Sequence, residues 1–273
     1  MKVQHYLYDS YESALDAAEK TTNRGSGGSH AVSYGFDFGM ETFEQAIQFA
    51  RYGWPEGLNL VTELAAKIGR IIGERVYRPA PVYAVAGAIV DVPRAIRGIP
   101  ESMIAFPFQA ETASGKIVKL VVGIGCRGDV TGKTIKTRGA AILALIDAIE
   151  SAGYRVELWL DSVGTIDGKA LHFRFPAKMA EEHLDRDRLA FALINPSMHR
   201  RIVFALREMA DPELCRQGGG QVGTVPMRQS LPAEKSAYVI DNVDGNPDEF
   251  ADSESATAWV FQQLDSLGVE YER

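Results

Sequence analysis

The stretch IKTRGAAILALIDAIESAGYRVELWLDSVGTIDGKALHFRF, residues 135–175, carries the strongest structural signals in the chain. Apolar residues recur at helical spacing in its first half, which predicts a helix from Thr134 to Ala152. In its second half two alternating runs, VELWLDS and ALHFRF, flank Asp167-Gly168. Because this dipeptide adopts the positive φ angles of a tight turn, the pattern predicts a β-hairpin.

Further elements are expected on both sides of this stretch. The runs MIAFPFQAE and KIVKLVVGIG flank TASG and predict a second hairpin. Capping-box spacing between Thr42 and Gln45 predicts a helix from about Phe43 to Tyr52. Hairpins mixed with helices, without a regular β-α-β repeat, indicate the α+β class: a mixed or antiparallel sheet flanked by helices. Additional helices are expected near Asp185–Leu193 and Met198–Met209, and in the C-terminal SATAWVFQQLDSLG.

Residues 1–273 are interpreted as a single domain. The alternative is a division into a helical N-terminal part, 1–75, and a mixed part, 76–273. Two glycine-rich polar segments, near 21–31 and 214–236, are expected to be flexible loops.

Composition excludes several protein classes. With 46% hydrophobic and 24% charged residues in 273, the chain is globular rather than disordered, collagenous or coiled-coil. Two cysteines cannot form a disulfide framework, and the start MKVQHYLYDS lacks the regions of a signal peptide. Apolar runs stay well below the roughly 20 residues of a membrane span. We therefore expect an intracellular protein without a membrane partner.

The net charge of −7 is distributed unevenly along the chain. Residues 1–60 sum to −4, residues 61–240 to +5, and residues 241–273 to −8. Within the middle block, residues 116–138 contain six basic side chains and one acid. An acidic protein can thus carry a basic surface suited to phosphate, beside an acidic C-terminal part that modulates what binds there.

Two glycine motifs near this basic stretch raise the alternative of nucleotide binding. Gly123, Gly125 and Gly128 fit G-x-G-x-x-G, but the flanking elements are expected to be antiparallel and the helix to start late, which disfavours a dinucleotide fold. Gly132-Lys133-Thr134 matches the end of the phosphate-loop motif G-x-x-x-x-G-K-[ST]. The first glycine of that motif should stand five residues before Gly132, but Gly128 stands only four residues before it. An ATPase using the 128–134 loop and Asp161 is therefore kept as an alternative.

Nucleophilic, metal and cofactor chemistry have little support in the sequence. Cys126 adjoins Arg127, which would lower the pKa of a thiol, yet a cysteine at a strand end is more often a small core residue. The five histidines show no metal-ligand spacing. We predict no enzyme activity, no cofactor and no metal.

The basic loop RGDVTGKTIKTRG is the best candidate for a binding site. It precedes a helix N-terminus, where free amides and the helix dipole also favour phosphate. Aromatic residues on predicted strands or turns could stack on the bases of single-stranded nucleic acid, although such residues commonly pack into a core. The candidate DNA-binding residues are Arg127, Lys133, Lys136, Arg138, Arg94, Arg97, Arg174, Trp54 and Trp159.

Three phrases resemble a family of phage proteins: RYGWPEG at 51–57, DVPR and GIPESM at 91–103, and TRGAAILALIDAIESAGYRVEL at 137–158. The family is that of the single-stranded-DNA-binding RNA polymerase cofactors (Drc) of podoviruses that carry a virion RNA polymerase. The resemblance spans roughly residues 40–160. It implies an unusual fold, a preference for single-stranded DNA, assistance to a phage RNA polymerase, and a place in the cytoplasm of an infected bacterium.

Three hypotheses follow from these observations. The first is a non-enzymatic single-stranded-DNA-binding protein that acts in phage transcription or replication, alone or as a homo-oligomer or cooperative assembly on DNA. The second is the ATPase described above. The third is a phage adaptor that binds host or phage proteins.

Overall fold

The computed structural model describes residues 2–21, 28–30, 42–57, 62, 66, 82–105, 116–126, 129–166, 169–212, 237–243 and 245–269. Two sheets and a set of helices form an α+β fold, as the sequence predicts. The central sheet has five strands in the order β1-β7-β6-β5-β8. Its strands are β1 (Lys2–Leu7), β5 (Ile117–Gly123), β6 (Arg155–Ile166), β7 (Lys169–Lys178) and β8 (Tyr238–Ile240).

The predicted hairpin is the antiparallel pair β6 and β7. Ile166 pairs with Lys169, so the predicted hairpin is confirmed, while the Asp167-Gly168 turn itself lies outside the described residues. Phe173 and Phe175 are fully buried in the core below the helices. Because side chains alternate along a strand, the intervening Arg174 lies on the opposite face of the sheet.

The expected hairpin around TASG is not found among the described residues. β5 runs parallel to both β6 and β8, whereas β4 (Met103–Ala105) belongs to the second sheet. β5, the following helix α4 (Gly132–Ser151) and β6 form a β-α-β unit. Residues 120–122 are fully buried. A buried aliphatic run is equally typical of a parallel central strand, and the sequence pattern does not reveal strand direction.

Helix α4 lies inside the molecule, with 14 of its 20 residues buried. It packs against α5 (Arg186–Ile194) and α7 (Ser253–Leu267). Further helices in the described part of the chain include α1 (Tyr11–Glu19), α2 (Phe43–Tyr52), the π-helix Met198–Val203 and α6 (Phe204–Ala210). The sequence-predicted bounds of α2 and its Thr42–Gln45 capping box are both observed.

The N-terminal part belongs to the same core as the rest. β1 extends the central sheet by pairing in parallel with β7, and α1 packs on α6. One hydrophobic cluster contains residues from Tyr11 to Val269. Of the two expected loops, residues 22–27, 31 and 214–236 lie outside the described residues. Gly28–His30 forms a 3-10 helix in which Ser29 is fully buried against Glu208, so flexibility is not expected there.

The second sheet is small and antiparallel, in the order β2-β4-β3. β2 is Val82–Ala84 and β3 is Ile89–Val90, and a short helix, α3 (Val92–Ile96), follows β3. Seven large hydrophobic side chains of this small sheet are exposed: Val82, Tyr83, Val85, Ile89, Val90, Val92 and Ile96. We call residues 82–105 the small-sheet module.

Candidate functional site

The N-terminus of α4 lies at the carboxyl end of β5 and is closed by two kinds of cap. The Thr131 hydroxyl accepts from the Thr134 amide at 3.2 Å. From the segment after β8, the Asn246 side-chain oxygen accepts from the Thr131 amide at 2.9 Å and from the Thr134 hydroxyl at 2.8 Å. The Asn246 amide nitrogen donates to the Asp129 carbonyl at 3.1 Å. The acidic C-terminal part is therefore docked on the basic loop.

Two of the predicted cations meet at this helix end. Exposed Lys133 and half-buried Lys136 line an open depression of about 500 Å³ together with Thr137, Asp252 and Ser253. Because Ser253 begins α7, the N-termini of two helices lie beside the two lysines. Amides in the first turn of a helix point out of its end and favour anions. We call this depression the two-helix surface.

Asp252 contributes a negative charge to the two-helix surface. Its carboxylate caps α7 by accepting from the amides of Glu254 and Ser255, each at 2.9 Å. The hydrogen bonds from Ser255 hold the pKa of Asp252 below its ordinary value, and the nearby Lys133 lowers this pKa further. The acidic segment thus places one carboxylate within electrostatic reach of the predicted basic site.

Arg138 does not belong to this surface, contrary to the sequence prediction. It is 5% exposed, and its Nη2 donates to the carbonyls of Gly123 at 2.9 Å and Asp241 at 2.8 Å. Burial lowers the pKa of Arg138 to about 10, so the guanidinium remains charged at neutral pH. Its role is to join the ends of β5 and β8, because position 138 faces the core side of α4.

Arg174 is likewise buried, so its prediction as a DNA contact is wrong in this structure. Its guanidinium bonds to the fully buried Asp161 carboxylate, with Nε at 3.2 Å from Oδ1. His172 Nε2 contacts the same Oδ1, and His172 Nδ1 lies 2.8 Å from His5 Nδ1. These side chains form a polar network on the sheet face opposite the helices.

The two tryptophans are not open stacking platforms. Trp54 is 8% exposed and packs edge-on against Phe191, because the turn after α2 folds onto α5. Trp159 is half-buried, its indole nitrogen donates to Glu157, and Lys119 Nζ lies 4.6 Å from its ring centroid. Trp54, a candidate for base stacking in the sequence, is therefore buried, and the Trp159 ring already has a partner at its edge and another at its face.

The remaining predicted cations lie elsewhere. Arg94 and Arg97 are on the small-sheet module, where the Arg94 guanidinium lies 3.9 Å from the Tyr83 ring centroid. Arg127 lies outside the described residues. Of the nine predicted residues, the structure brings Lys133 and Lys136 together. Two residues of the site were missed in the sequence analysis. Asn246 could not be predicted, because it bonds to Thr131, 115 positions away. Asp252 could have been predicted as the N-cap of α7, because an aspartate directly before Ser253-Glu254-Ser255 is a local helix-start signal.

The groups required by the ATPase alternative are engaged in other contacts. Thr134 is 5% exposed and bonded to Asn246, and Asp161 is fully buried against His172 and Arg174. The cavity at the carboxyl end of β5 is only about 20 Å³, whereas a nucleotide requires a pocket of roughly 300 Å³ or more, and the depression of about 500 Å³ at Lys133 is open and includes neither Thr134 nor Asp161 in its lining. A dinucleotide-binding fold requires parallel strands, and β5 and β6 are parallel. The small cavity and the engaged side chains at this end of β5 nevertheless do not favour a dinucleotide site.

Searches for other kinds of site add two findings. Over the described residues, no helix is long and apolar enough to cross a membrane. Within that same part of the chain, no group of three or more His, Cys, Asp or Glu side chains is arranged to hold a metal ion.

Comparison with known proteins gives one match. No curated protein and no solved structure matches the chain. A family model described as a domain of unknown function, DUF7192, matches residues 2–271. Because this match covers nearly the whole chain, including both sheets and the two-helix surface, the protein belongs to the DUF7192 family.

Proposed function

We propose that this protein is a non-enzymatic single-stranded-DNA-binding protein that works with a phage RNA polymerase in the cytoplasm of an infected bacterium. The DNA backbone binds at the two-helix surface. The observation that carries this proposal is the convergence of Lys133 and Lys136 with the N-termini of α4 and α7 around an open depression. Both features attract phosphate, the first by charge and the second by the positive end of each helix dipole.

The form of the surface supports contact with a phosphate backbone rather than with a buried small molecule. The depression is open to solvent, and the Thr137 and Ser253 side chains that line it supply hydroxyl groups. Such groups bind phosphate oxygens without reading base sequence. The preference for single strands comes from the resemblance of residues 40–160 to the phage cofactor family.

The small-sheet module supports the polymerase part of the proposal. Its exposed apolar side chains include Ile96 at 80% and Val85 at 72% exposure. Clustered apolar side chains on a surface are typical of a protein interface rather than of a DNA interface. The phage polymerase is the partner we assign to this module, and Arg94 and Arg97 lie at its edge.

Titration of a labelled oligonucleotide tests the DNA part of the proposal. Single-stranded and double-stranded forms of one sequence are compared at 50, 100 and 200 mM salt (about the range over which phosphate contacts show their effect). We expect tighter binding of the single strand and a log-log decrease of affinity with salt. An affinity that does not change with salt, or that is equal for single-stranded and double-stranded DNA, would overturn the DNA part of the proposal.

Co-purification with the RNA polymerase encoded by the same phage tests the second part. The wild-type chain is compared with a variant carrying Val85→Ser and Ile96→Ser, which removes two exposed side chains without touching the core. Retention of the wild type and loss of the variant, with DNA binding unchanged, supports the assignment. Equal retention of both, or retention of neither, contradicts it.

A further inference from the structure

A small, partly enclosed cavity of about 20 Å³ lies beyond the carboxyl end of β5, and it shares no lining residue with the two-helix surface. Its polar walls are the side chains of Cys126, Arg138, Asn195 and His199. The rest of its lining is aliphatic or prolyl apart from Gly125 and the thioether of Met198. A space of this size holds one water molecule or an ion of similar size. It is too small for phosphate or a nucleotide.

The orientation of Asn195 is fixed by its other hydrogen bond. The side-chain Oδ1 accepts from the Ser197 amide at 2.8 Å, which leaves Nδ2 as the group available for a further contact. Asn195 is 3% exposed, and its Nδ2 is buried without a hydrogen-bond partner. A buried N–H group without an acceptor is costly, so such a group points to a bound species.

The tautomer of His199 is fixed in the same way. Arg207 Nη2 lies 3.3 Å from His199 Nε2, and because a guanidinium only donates, Nε2 must accept. Burial, and then the charges of Arg207 and Arg200, lower the pKa of His199 well below its ordinary value, which favours the neutral ring. The proton of that ring is then on Nδ1, which is buried and has no partner.

The remaining polar groups of the cavity are also donors. The Arg138 guanidinium carries a positive charge, and the Cys126 thiol can donate weakly. Among the described residues that line the cavity, none is acidic. A water molecule can accept two of these hydrogen bonds, but for its own two hydrogens the lining side chains offer weak or already bonded acceptors, the sulfurs of Cys126 and Met198 and the Oδ1 of Asn195.

We propose that this cavity is a binding site for a small monatomic anion, a halide, held by Asn195 Nδ2 and His199 Nδ1 beside the Arg138 guanidinium. The anion accepts from both unpartnered donors and balances the buried charge. It also fixes the end of α5 and the start of the π-helix against the loop that follows β5. The site is independent of DNA binding at the two-helix surface.

Thermal unfolding in different sodium salts tests the proposal. Wild-type protein is compared in chloride, bromide and gluconate at equal ionic strength, because gluconate is too large for the cavity. We expect the halides to raise Tm by about 2–4 °C relative to gluconate. No difference between the salts would overturn the proposal.

A matched pair of variants assigns the effect to this cavity. Asn195→Asp keeps the oxygen that accepts from Ser197 but replaces the donor with a negative charge, so the halide-specific shift should disappear. Asn242→Asp is the control: its Oδ1 likewise accepts from a backbone amide, that of Gly125, and its side chain does not line the cavity. The control should keep the shift, and loss of the shift in both variants contradicts the assignment.

Crystals of the wild-type protein grown in sodium bromide provide a test that does not depend on variants folding. An anomalous bromide peak within hydrogen-bond distance of His199 Nδ1 and Asn195 Nδ2 supports the site. Density for a water molecule in the cavity, or no density there, rejects the proposed halide site.

Discussion

The side-chain oxygen of Asn246 accepts a hydrogen bond from the backbone amide of Thr131, the residue that caps α4. The same oxygen accepts from the Thr134 hydroxyl. A side chain from the acidic C-terminal part therefore completes the cap of the central helix. The segment that could compete with DNA for the basic loop is also part of the structure that holds this loop in place.

Replacement of Asn246 by alanine should lower the free energy of unfolding by about 1 kcal/mol, because the Thr131 amide and the Thr134 hydroxyl lose their acceptor. Urea denaturation measures this change. Asn246→Asp retains the accepting oxygen and should cost less. An alanine variant as stable as wild type would show that the cap contributes nothing.

Charge reversal at the two-helix surface should weaken DNA binding. Lys133→Glu combined with Lys136→Glu should reduce the affinity for a single-stranded oligonucleotide by about tenfold or more. The slope of log affinity against log salt concentration should also become shallower by about one for each lysine replaced. Fluorescence anisotropy at several salt concentrations measures both quantities.

The matched control is Lys116→Glu combined with Arg155→Glu, the same change in charge at the opposite end of the sheet, where the Arg155 amide donates to the Lys116 carbonyl. Both side chains are exposed, and the 20-residue helix α4 separates the two ends by roughly 30 Å. If both pairs weaken binding equally, the effect comes from net charge and the surface assignment fails.

Asp252→Asn should tighten DNA binding about threefold at low salt, because it removes a carboxylate near Lys133. Asparagine caps a helix as well as aspartate does, so α7 should keep its N-terminus. The gain should shrink as salt screens the interaction. The same anisotropy titration measures the gain in affinity. Tighter binding that persists at high salt would contradict an electrostatic effect of the Asp252 carboxylate.

Gly139→Ala should destabilise the protein by about 1–3 kcal/mol through overpacking, although alanine is the better helix former by about 1 kcal/mol. A Cβ at position 139 would overlap Ile194 Cγ1 and lie 3.0 Å from the Leu193 carbonyl oxygen. Urea denaturation measures the loss. Ser151→Ala, at the exposed end of the same helix, should change stability little, and a stabilised Gly139 variant would contradict the close packing of α4 on α5.

Stability should fall as pH decreases below the ordinary histidine pKa, because His199 is held neutral in the folded state. Burial and the charges of Arg207 and Arg200 lower its pKa far below 6.5. Below pH 6.5 the unfolded chain therefore binds one proton more at this histidine than the folded chain does. The free energy of unfolding then decreases by at most about 1.4 kcal/mol per pH unit.

Urea denaturation between pH 7.5 and 5 measures this slope (a range of about 1 unit above and 1.5 units below the ordinary pKa). His199→Gln should flatten the dependence over this range. His183→Gln, at an exposed position, is the control and should leave it unchanged. An identical slope in the His199 variant would assign the pH dependence to other groups.

Local signals were sufficient to predict individual elements. The Thr42–Gln45 capping box, the apolar spacing of α4 and the Asp-Gly dipeptide between β6 and β7 are all signals from neighbouring residues. The capping box, the helix and the β6–β7 hairpin pairing that they predict are observed. The parallel direction of β5 was not predictable, because a buried aliphatic run has the same pattern in either direction. The docking of β8 beside it depends on a segment 118 positions away, since Leu120 pairs with Tyr238.

The site was predictable only in part for the same reason. Residues 133, 136 and 138 are all basic and close in sequence, but the helix turns position 138 toward the core and leaves Lys133 exposed. Arg174 alternates between two phenylalanines, which places it on the second face of the sheet, yet only the folded structure shows Asp161 there to pair with it. Charge counts identify a basic segment, and packing decides which of its members remain accessible.

The parallel pairing of β1 with β7 has a consequence for synthesis of the protein. Lys2 pairs with Lys169, so β1 leaves the ribosome 167 positions before the strand with which it pairs. At about 5–20 residues per second, translation needs roughly 10 to 30 s to reach that neighbour. During this interval β1 is without the strand that pairs with it in the folded protein, so its backbone groups must remain hydrated or bonded elsewhere until β7 has been made.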